Sequence, residues 1–334
     1  MTVSRVVNRT GYVSEETRDK VLLAIKKLNY RRNASARSLR RQKTDTIGLV
    51  LGDLANPFSA ELAMAVRETL ASRGYHLLIS ISEHSGDEDV SAIDTLVDHN
   101  VDGLVVATRS DPGGDSRLRD VVEDQLPLVV IGRDFKHESV DSVAADTLAG
   151  GFEATQHLID LGHQRVAFLG AALNDLPGLK RLQGYTKALD THGIPIDERL
   201  VTGRNESALG GTGYSTEKIG YEGMKRLLSV PKRPTAIFAR NDFTAIGAMT
   251  AIKEARLTIP KDIAIVGFDD IPMATHTSPP LTTVRQPMRM QGQLAAEMML
   301  KRVTGEGIEN RTERLLTCEL IIRGSTVSTE DRRG

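Results

Sequence analysis

The feature that most limits the fold of this chain is an alternation of short apolar runs with helical segments. Near-continuous apolar runs are typical of parallel strands that helices cover on both faces. The predicted strands are 47–51, 76–81, 103–106, 128–131, 166–169, 236–239 and 263–268, and the predicted helices are 62–70, 90–97, 118–122, 147–161, 178–191, 215–229 and 242–256. The alternation occurs twice, so the chain is predicted to be an α/β protein with two doubly wound parallel-sheet subdomains.

Composition excludes several classes of protein. A chain of 334 residues with 40% hydrophobic and 26% charged residues suits two or three compact units with an ordinary core. No apolar run approaches membrane-spanning length, and Arg5 and Arg9 interrupt the only candidate for a signal peptide. Cys318 is the single cysteine, which fits a reducing cytoplasm and leaves no thiolate metal site. No cofactor or metal is predicted, because the histidines lack metal-ligand spacing.

The charges are divided unevenly along the chain. Residues 1–46 hold 12 Lys and Arg against 4 Asp and Glu, whereas the remainder holds 31 against 40. A basic N-terminal segment on an acidic body indicates a polyanion as the partner of that segment.

The most basic stretch is 29–43, which contains no acidic residue and one large aliphatic residue, Leu39. A solvated charge run is the alternative interpretation. An amphipathic helix is predicted just before it, at 14–29, with Ser14 as its N-cap. A basic segment in this position can fold against phosphates and insert one apolar side chain between base steps.

Four stretches carry a resemblance to a known family: Thr2–Asn8, Tyr12–Arg18, Leu28–Tyr30 and Asn33–Leu39. They resemble the DNA-binding head and hinge of the LacI/GalR repressors, and the resemblance continues to about residue 326. It implies a periplasmic-binding-protein-like body whose chain crosses between subdomains near 160–163, 286–287 and 317–319. The implied divisions are an incomplete all-α helix-turn-helix head at 1–32, a hinge helix and linker at 33–45, an N-terminal subdomain at 46–161 with 287–317, a C-terminal subdomain at 163–286 with 318–326, and a tail at 327–334.

The resemblance also implies which residues contact DNA: Thr2, Ser4, Arg5, Asn8, Tyr30, Asn33, Ala36, Arg37 and Leu39. Thr2 to Asn8 matches the last part of the family's recognition helix. The family's first helix, the turn and the opening of the recognition helix have no counterpart here, and a helix-turn-helix reads bases with those opening residues. We therefore expect weakened operator binding, from a misplaced start or a shortened chain.

An effector site is expected where strands end, because ligands of such sheets bind at the carboxyl ends of strands. The candidate residues are Phe58, Arg133, Asp146, Arg181, Tyr214, Asn241 and Asp269. Arg181 resembles the family's pocket arginine, and its fork suits paired hydroxyls or a carboxylate. Asp146 has a second interpretation as a helix N-cap. A catalytic pair of Asp269 and Asp270 is disfavoured, because neighbours on an extended chain face opposite ways.

These observations predict a ligand-responsive transcriptional repressor and not an enzyme. The predicted partners are operator DNA, a sugar or sugar derivative bound between the subdomains, and a second copy of the chain, with a tetramer as a further assembly.

Three alternatives stay open: a transport-type sugar-binding protein, which a signal peptide would favour; an enzyme on a Rossmann-like sheet, which a phosphate-binding glycine loop would favour; and a sensor body that does not bind DNA. The glycines at 210–213 lack the strand–turn–helix context of such a loop.

Overall fold

A computed structural model describes residues 2–8, 10–28, 43–82, 86–108, 112–133, 135–170, 176–203, 213–306 and 311–327 of the protein. The chain separates into two compact units, Met1–Thr44 and Asp45–Gly334.

Two helices lie in the described part of the N-terminal unit, α1 (Thr2–Asn8) and α2 (Glu15–Lys27). Ser14 stands at the N-cap of α2, but its hydroxyl bonds to Thr17 rather than to a backbone amide. No residue of α2 is buried, and Leu22 is half exposed. The apolar face predicted for this helix is therefore present without being covered.

The first sheet of the larger unit is wholly parallel and has the order β10-β5-β4-β3-β1-β2. Its strands are β1 (Thr46–Leu51), β2 (His76–Ile81), β3 (Gly103–Ala107), β4 (Leu128–Ile131), β5 (Asp141–Ala145) and β10 (Glu313–Leu316), and the helices that follow the first three are α3 (Pro57–Ala71), α4 (Gly86–Asp98) and α5 (Pro112–Glu123). The strand order reverses direction between β1 and β3, where a ligand site is expected at the carboxyl ends.

The second sheet has the order β11-β9-β8-β7-β6, in which β11 is antiparallel and the other strands are parallel. Its strands are β6 (Val166–Leu169), β7 (Ala236–Ala239), β8 (Ala264–Asp269), β9 (Thr282–Arg285) and β11 (Glu319–Ile321). The remaining helices are α6 (Thr147–Asp160), α7 (Leu176–Thr191), α8 (Gly213–Ser229), α9 (Asp242–Glu254) and α10 (Met288–Thr304). We call the two sheets with their helices the first lobe and the second lobe.

The chain crosses between the lobes in three places, one of which differs from the prediction. Helix α6 packs on the second sheet, since Ala154 and Leu158 share a core with Phe168 and Phe238. The first crossing therefore lies between β5 and α6, and not near 160–163. The second crossing follows β9, and the third lies between β10 and β11. Helix α10 returns to the first lobe, where Met299 packs in the core.

Apolar burial explains why these segments form the central strands. Every residue of β3 except the last, and every residue of β4, β7 and β8, is buried. Strands covered by helices on both faces tolerate almost no polar residue. None of the helices in the described residues combines the length and apolar character that crossing a membrane requires.

Candidate functional site

A cleft lies between the two lobes, at the carboxyl ends of strands from both sheets. Its volume is about 160 Å³. An engineered protein cavity of about 150 Å³ holds benzene, so the cleft suits a ligand built on one ring. The lining residues are Gly52, Asp53, Asn56, Phe58, Ser59, Ala107, Thr108, Ile131, Gly132, Ala145, Thr147, Arg181, Thr216, Arg240, Asn241, Asp269, Gln286 and Gln291. Four of the predicted effector residues are among them: Phe58, Arg181, Asn241 and Asp269.

Arg181 and Asp269 form the charged centre of the cleft, and the side chains are only 9% and 7% exposed. Arg181 Nη2 lies 3.6 Å from Asp269 Oδ1, and Arg181 Nη1 donates to the backbone carbonyl of Arg240. The guanidinium carbon stands 4.1 Å from the centroid of the Phe268 ring. Arg181 Nε is buried and has no hydrogen-bond partner among the described residues. The planar fork is thus fixed on several sides.

The turn that carries Asp269 has an unusual backbone. Asp269 has φ 111° and Asp270 has φ 59°, values that are uncommon for residues other than glycine. Asp270 accepts hydrogen bonds from Arg285 Nε at 2.7 Å and from Arg323 Nη2 at 2.6 Å. These ion pairs hold the turn, and they direct the Asp270 carboxylate to the two arginines while Asp269 lines the cleft.

A buried carboxyl supports the same turn from behind the cleft. Asp242 is fully buried, and its Oδ2 accepts a hydrogen bond from the Ile271 amide at 2.9 Å. A hydrogen bond of 2.5 Å joins its Oδ1 to the Thr283 hydroxyl. Burial, followed by the charge of Asp269, raises the pKa of Asp242 well above its usual value. Burial therefore disfavours a second negative charge behind the cleft.

Asn241 lines the cleft at the end of β7 and begins helix α9. Its Oδ1 accepts hydrogen bonds from the Thr244 amide at 2.9 Å and from the Thr244 hydroxyl at 2.7 Å. The side chain is an N-cap that fixes its own orientation. Because the oxygen is engaged in the cap, the amide nitrogen is the group that can serve a ligand.

The first lobe contributes an apolar wall through Phe58. Asn56 caps helix α3, with its Oδ1 accepting from the Phe58 amide at 3.0 Å, and Pro57 occupies the first turn. Phe58 also packs against the core of the first lobe. The cap and this contact hold Phe58 at the cleft, whose lining also includes Ile131 of the first lobe.

Sequence reasoning missed several polar cleft residues, among them Arg240, Gln286 and Gln291. Gln286 Nε2 donates to Asp269 Oδ1 at 2.6 Å. Gln291 is 1% exposed, and its Nε2 has no hydrogen-bond partner in the described part of the chain. Two weak signals existed, since Arg240 directly precedes Asn241 at a strand end and Gln286 stands at a predicted crossing. Gln291 gave no local signal.

Arg133 corrects the prediction that it lines the cleft. Its side chain is 2% exposed, and its Nη1 lies 2.6 Å from Asp115 Oδ1. The guanidinium carbon is 5.8 Å from the centroid of the Phe135 ring. The preceding residue, Gly132, lines the cleft instead. Gly132 has φ 83°, so the chain turns directly after β4, and the Arg133 side chain is buried beside Asp115 instead of in the cleft.

Asp146 and Tyr214 are the other two effector candidates. Asp146 caps helix α6, with Oδ1 accepting from the Ala149 amide at 2.9 Å, and it is absent from the cleft lining that contains its neighbours Ala145 and Thr147. The structure therefore favours the second interpretation of Asp146, that of a cap. Tyr214 begins helix α8, and its side chain lies outside the described residues.

The DNA-binding candidates belong to the N-terminal unit. Thr2 and Arg5 are exposed on helix α1. Ser4 and Asn8 lie in the same helix, but their side chains are outside the described residues. Tyr30 and the hinge candidates lie wholly outside the described residues: Asn33, Ala36, Arg37 and Leu39.

A two-lobed body with a polar cleft, carried on a chain that begins with a helical unit, defines a class of ligand-sensing regulators. Two family models match the chain, "Bacterial regulatory proteins, lacI family" over residues 1–33 and "Periplasmic binding protein-like domain" over residues 155–326. The chain belongs to the LacI family of bacterial transcriptional regulators.

Individual relatives agree with this assignment. The HTH-type transcriptional repressor PurR of Histophilus somni is 34% identical over 97% of this chain and 94% of that protein. The ribose operon repressor of Escherichia coli K12 is 36% identical over 97% and 95%. Among solved structures, the lac repressor dimer bound to operator and the anti-inducer ONPF superposes with a TM-score of 0.83 at 28% identity, covering 98% of this chain and 95% of that chain. The transcriptional regulator CelR in complex with cellobiose gives 0.73 at 32%, covering 96% and 94%.

Proposed function

We propose that this protein represses transcription by binding operator DNA as a homodimer, and that a sugar or sugar derivative in the cleft changes its operator affinity. The observation that carries the proposal is the cleft itself, which lies between the two sheets and contains the contact of Arg181 with Asp269. Relatives support the ligand class, since one matched structure is a cellobiose complex and another is a LacI-family regulator with bound ribose.

The arrangement of the cleft suggests how a ligand would alter the lobes. Arg181, Asn241 and Asp269 belong to the second lobe, whereas Phe58 and Gln291 belong to the first. A ligand held by both sets favours the closed lobes over the open ones, and it can shift that equilibrium only by its difference in affinity for the two.

One hydrogen bond joins the cleft directly to a crossing. Gln286, which donates to Asp269 at 2.6 Å, is followed by Pro287 and then by helix α10 of the first lobe. A ligand that competes for Asp269 would act on this crossing segment. We infer that the crossing after β9 transmits ligand binding to the first lobe.

The test of the proposal is reciprocal linkage. An operator selected from a random duplex library should bind with an affinity that the effector changes by about 5–150-fold, which corresponds to about 1–3 kcal/mol of coupling. The same operator should change the effector's affinity by the same factor, because coupling between two binding equilibria is reciprocal. Fluorescence anisotropy gives the first factor and titration calorimetry the second. Operator affinity that no bound sugar alters would contradict the proposal.

Homodimer formation is supported by apolar side chains exposed on the first lobe. Ile79 and Ile81 of the edge strand β2 are 38% and 45% exposed, and Met64 of helix α3 is 45% exposed. Ile79 and Ile81 share a face with Leu77, which packs against the core that α3 helps to form. Exposed apolar side chains on an unpaired strand edge are typical of an association surface.

We expect the Met64→Glu, Ile81→Lys double variant to be monomeric at micromolar concentration, because it places charges in this surface. Sedimentation velocity measures the change. Leu161→Lys is the control, since Leu161 is 43% exposed but follows α6 in the second lobe. A double variant that stays dimeric would place the interface elsewhere.

A further inference from the structure

We propose that Asp270, which does not line the cleft, is a positioning residue for effector binding. Its two ion pairs hold the neighbouring Asp269 in the backbone conformation that directs the Asp269 carboxylate into the cleft. This inference rests on the proposed function, because it concerns the same cleft. It assigns a role in recognition to a charged residue that acts from outside the lining.

Asp270 and Asp269 have different surroundings although they are adjacent in the chain. Asp269 lines the cleft, whereas Asp270 is absent from the lining and its side chain is 8% exposed. Asp270 Oδ1 accepts a hydrogen bond from Arg323 Nη2 at 2.6 Å, and Oδ2 accepts one from Arg285 Nε at 2.7 Å. Each carboxylate oxygen thus serves a different arginine. Charge-assisted hydrogen bonds of this length are among the strongest in proteins.

The two arginines are themselves fixed to the second sheet. Arg285 ends β9, where it pairs with Asp269 in the parallel ladder and with Glu319 in the antiparallel one. Its Nη1 also lies 3.3 Å from Glu319 Oε2. Arg323 follows β11, and its Nη1 donates to the backbone carbonyl of Leu281 at 2.8 Å. The ion pairs therefore tie the turn after β8 to β9 and to the segment after β11.

The backbone of the turn depends on contacts of this kind. Asp269 has φ 111° and Asp270 has φ 59°. Positive φ values cost free energy for residues other than glycine, and they persist where the surrounding structure determines them. The hydrogen bond from the Ile271 amide to Asp242 holds one side of the turn, and the ion pairs of Asp270 hold the other. Without those ion pairs the backbone can relax, and the Asp269 carboxylate moves with it.

The position of the Asp269 carboxylate matters because its contacts in the cleft are sensitive to distance. Its Oδ1 accepts from Gln286 Nε2 at 2.6 Å and lies 3.6 Å from Arg181 Nη2. A displacement of about 1 Å takes a hydrogen bond beyond its useful range. A residue that fixes this turn therefore affects the site without touching the ligand.

Asp270→Asn tests the ion pairs with little change of shape. Asparagine adopts positive φ values about as readily as aspartate, so the backbone preference is kept. Its amide offers one acceptor and one donor group in place of two acceptors, so one arginine loses its partner. Asp197→Asn is the matched control, because Asp197 also accepts hydrogen bonds from two arginines, Arg165 and Arg199, and is absent from the cleft lining.

Titration calorimetry measures the affinity for one sugar. The probe is the member of a set of D-ribose, D-glucose, D-galactose, D-fructose and cellobiose that raises the Tm of the wild type most. Asp270→Asn should weaken its binding about tenfold, the low end for loss of one hydrogen bond to a charged group. Asp197→Asn should bind like the wild type.

Arg285→Gln is a second variant, which tests the same turn if Asp270→Asn fails to fold. The Arg285 side chain is 49% exposed, so its pair with Asp270 is the weaker of the two and its loss should leave the fold intact. Binding of the same sugar should weaken about twofold to fivefold.

A double-mutant cycle separates positioning from a general structural role. In an Asp269→Asn background, Asp270→Asn should change the sugar affinity by less than about twofold, because the charged group that Asp270 positions is absent. A residue that only stabilises the second lobe would weaken binding by the same factor in both backgrounds.

Wild-type affinity in both Asp270→Asn and Arg285→Gln would overturn the inference and leave the proposed function standing. An equal loss in the two backgrounds of the cycle would do the same, as would an equal loss in Asp197→Asn. Absence of binding by every sugar of the set, together with an operator affinity that no sugar alters, would defeat the proposed function and the inference together.

Discussion

Replacement of Arg181 by methionine is expected to weaken effector binding by about 10–150-fold and to leave the protein folded. Arg181 lines the cleft, and the contact of its Nη2 with Asp269 is 3.6 Å long, so this donor can turn to a ligand. A hydrogen bond to a charged group contributes about 1.5–3 kcal/mol. Loss of this bond therefore costs about 1.5–3 kcal/mol of binding free energy, which is a factor of about 10–150.

The fold should survive this change because the neighbours of Arg181 keep other partners. Asp269 retains the hydrogen bond from Gln286, and the methionine side chain can lie over the Phe268 ring as the guanidinium does. Arg181→Lys should bind with intermediate affinity, since lysine keeps the charge but loses the planar fork.

Titration calorimetry measures the affinity. The ligand is the sugar that raises the melting temperature of the wild type most in a thermal-shift screen of sugars. Arg199→Met is the control, because it makes the same substitution at an exposed arginine. Operator affinity without effector should be unchanged in Arg181→Met, while the response to effector disappears. Wild-type effector affinity in this variant would remove Arg181 from the binding site and would end the case for the cleft.

The two doubly wound lobes could be predicted because their central strands are buried on both faces. Burial on both faces forces nearly every residue to be apolar, as in β4 and β7, and leaves a clear pattern in the sequence. Strand β5 was missed because its first residues, Asp141 and Ser142, are polar although they are buried. Arg302 makes this possible, since it donates two hydrogen bonds to Asp141 across 161 residues of sequence. A pairing over that distance has no local signature.

The same limit explains which site residues were found. Asn241 and Asp269 end buried strands, so their place at the cleft follows from the strands alone. Gln291 reaches the cleft only because α10 returns to the first lobe, which depends on where the chain crosses. The first crossing was predicted too late in the chain because the apolar pattern of α6 does not show which sheet the helix covers. In the structure, Gly151 of α6 packs against the backbone of Arg181 in the second lobe, where a larger residue would not fit.

Close helix contact through glycine also sets the geometry on the opposite side of the second lobe. Helices α8 and α9 pack there with their backbones nearly touching. A Cβ on Gly247 would lie 1.9 Å from the carbonyl oxygen of Glu217, and a Cβ on Gly220 would lie 2.0 Å from that of Thr244. Helix α8 carries Thr216 near its start and α9 begins after Asn241, and both of these residues line the cleft. The spacing of the two helices therefore fixes part of the site.

Gly247→Ala is expected to destabilise the protein by about 2 kcal/mol or more, because its new Cβ must push two backbones apart. Helix propensity alone predicts the opposite sign, since alanine is about 0.8–1.0 kcal/mol more favourable than glycine inside a helix. The steric term should win, because a contact of 1.9 Å with a backbone oxygen cannot be relieved by a side-chain rotation.

Thermal unfolding should show Tm lowered by roughly 5 °C. Thr250→Ala, on the exposed face of the same helix, is the control and should leave Tm nearly unchanged. A Gly247→Ala protein as stable as the wild type would mean that α8 and α9 can separate without cost, and the cleft would then not depend on their contact.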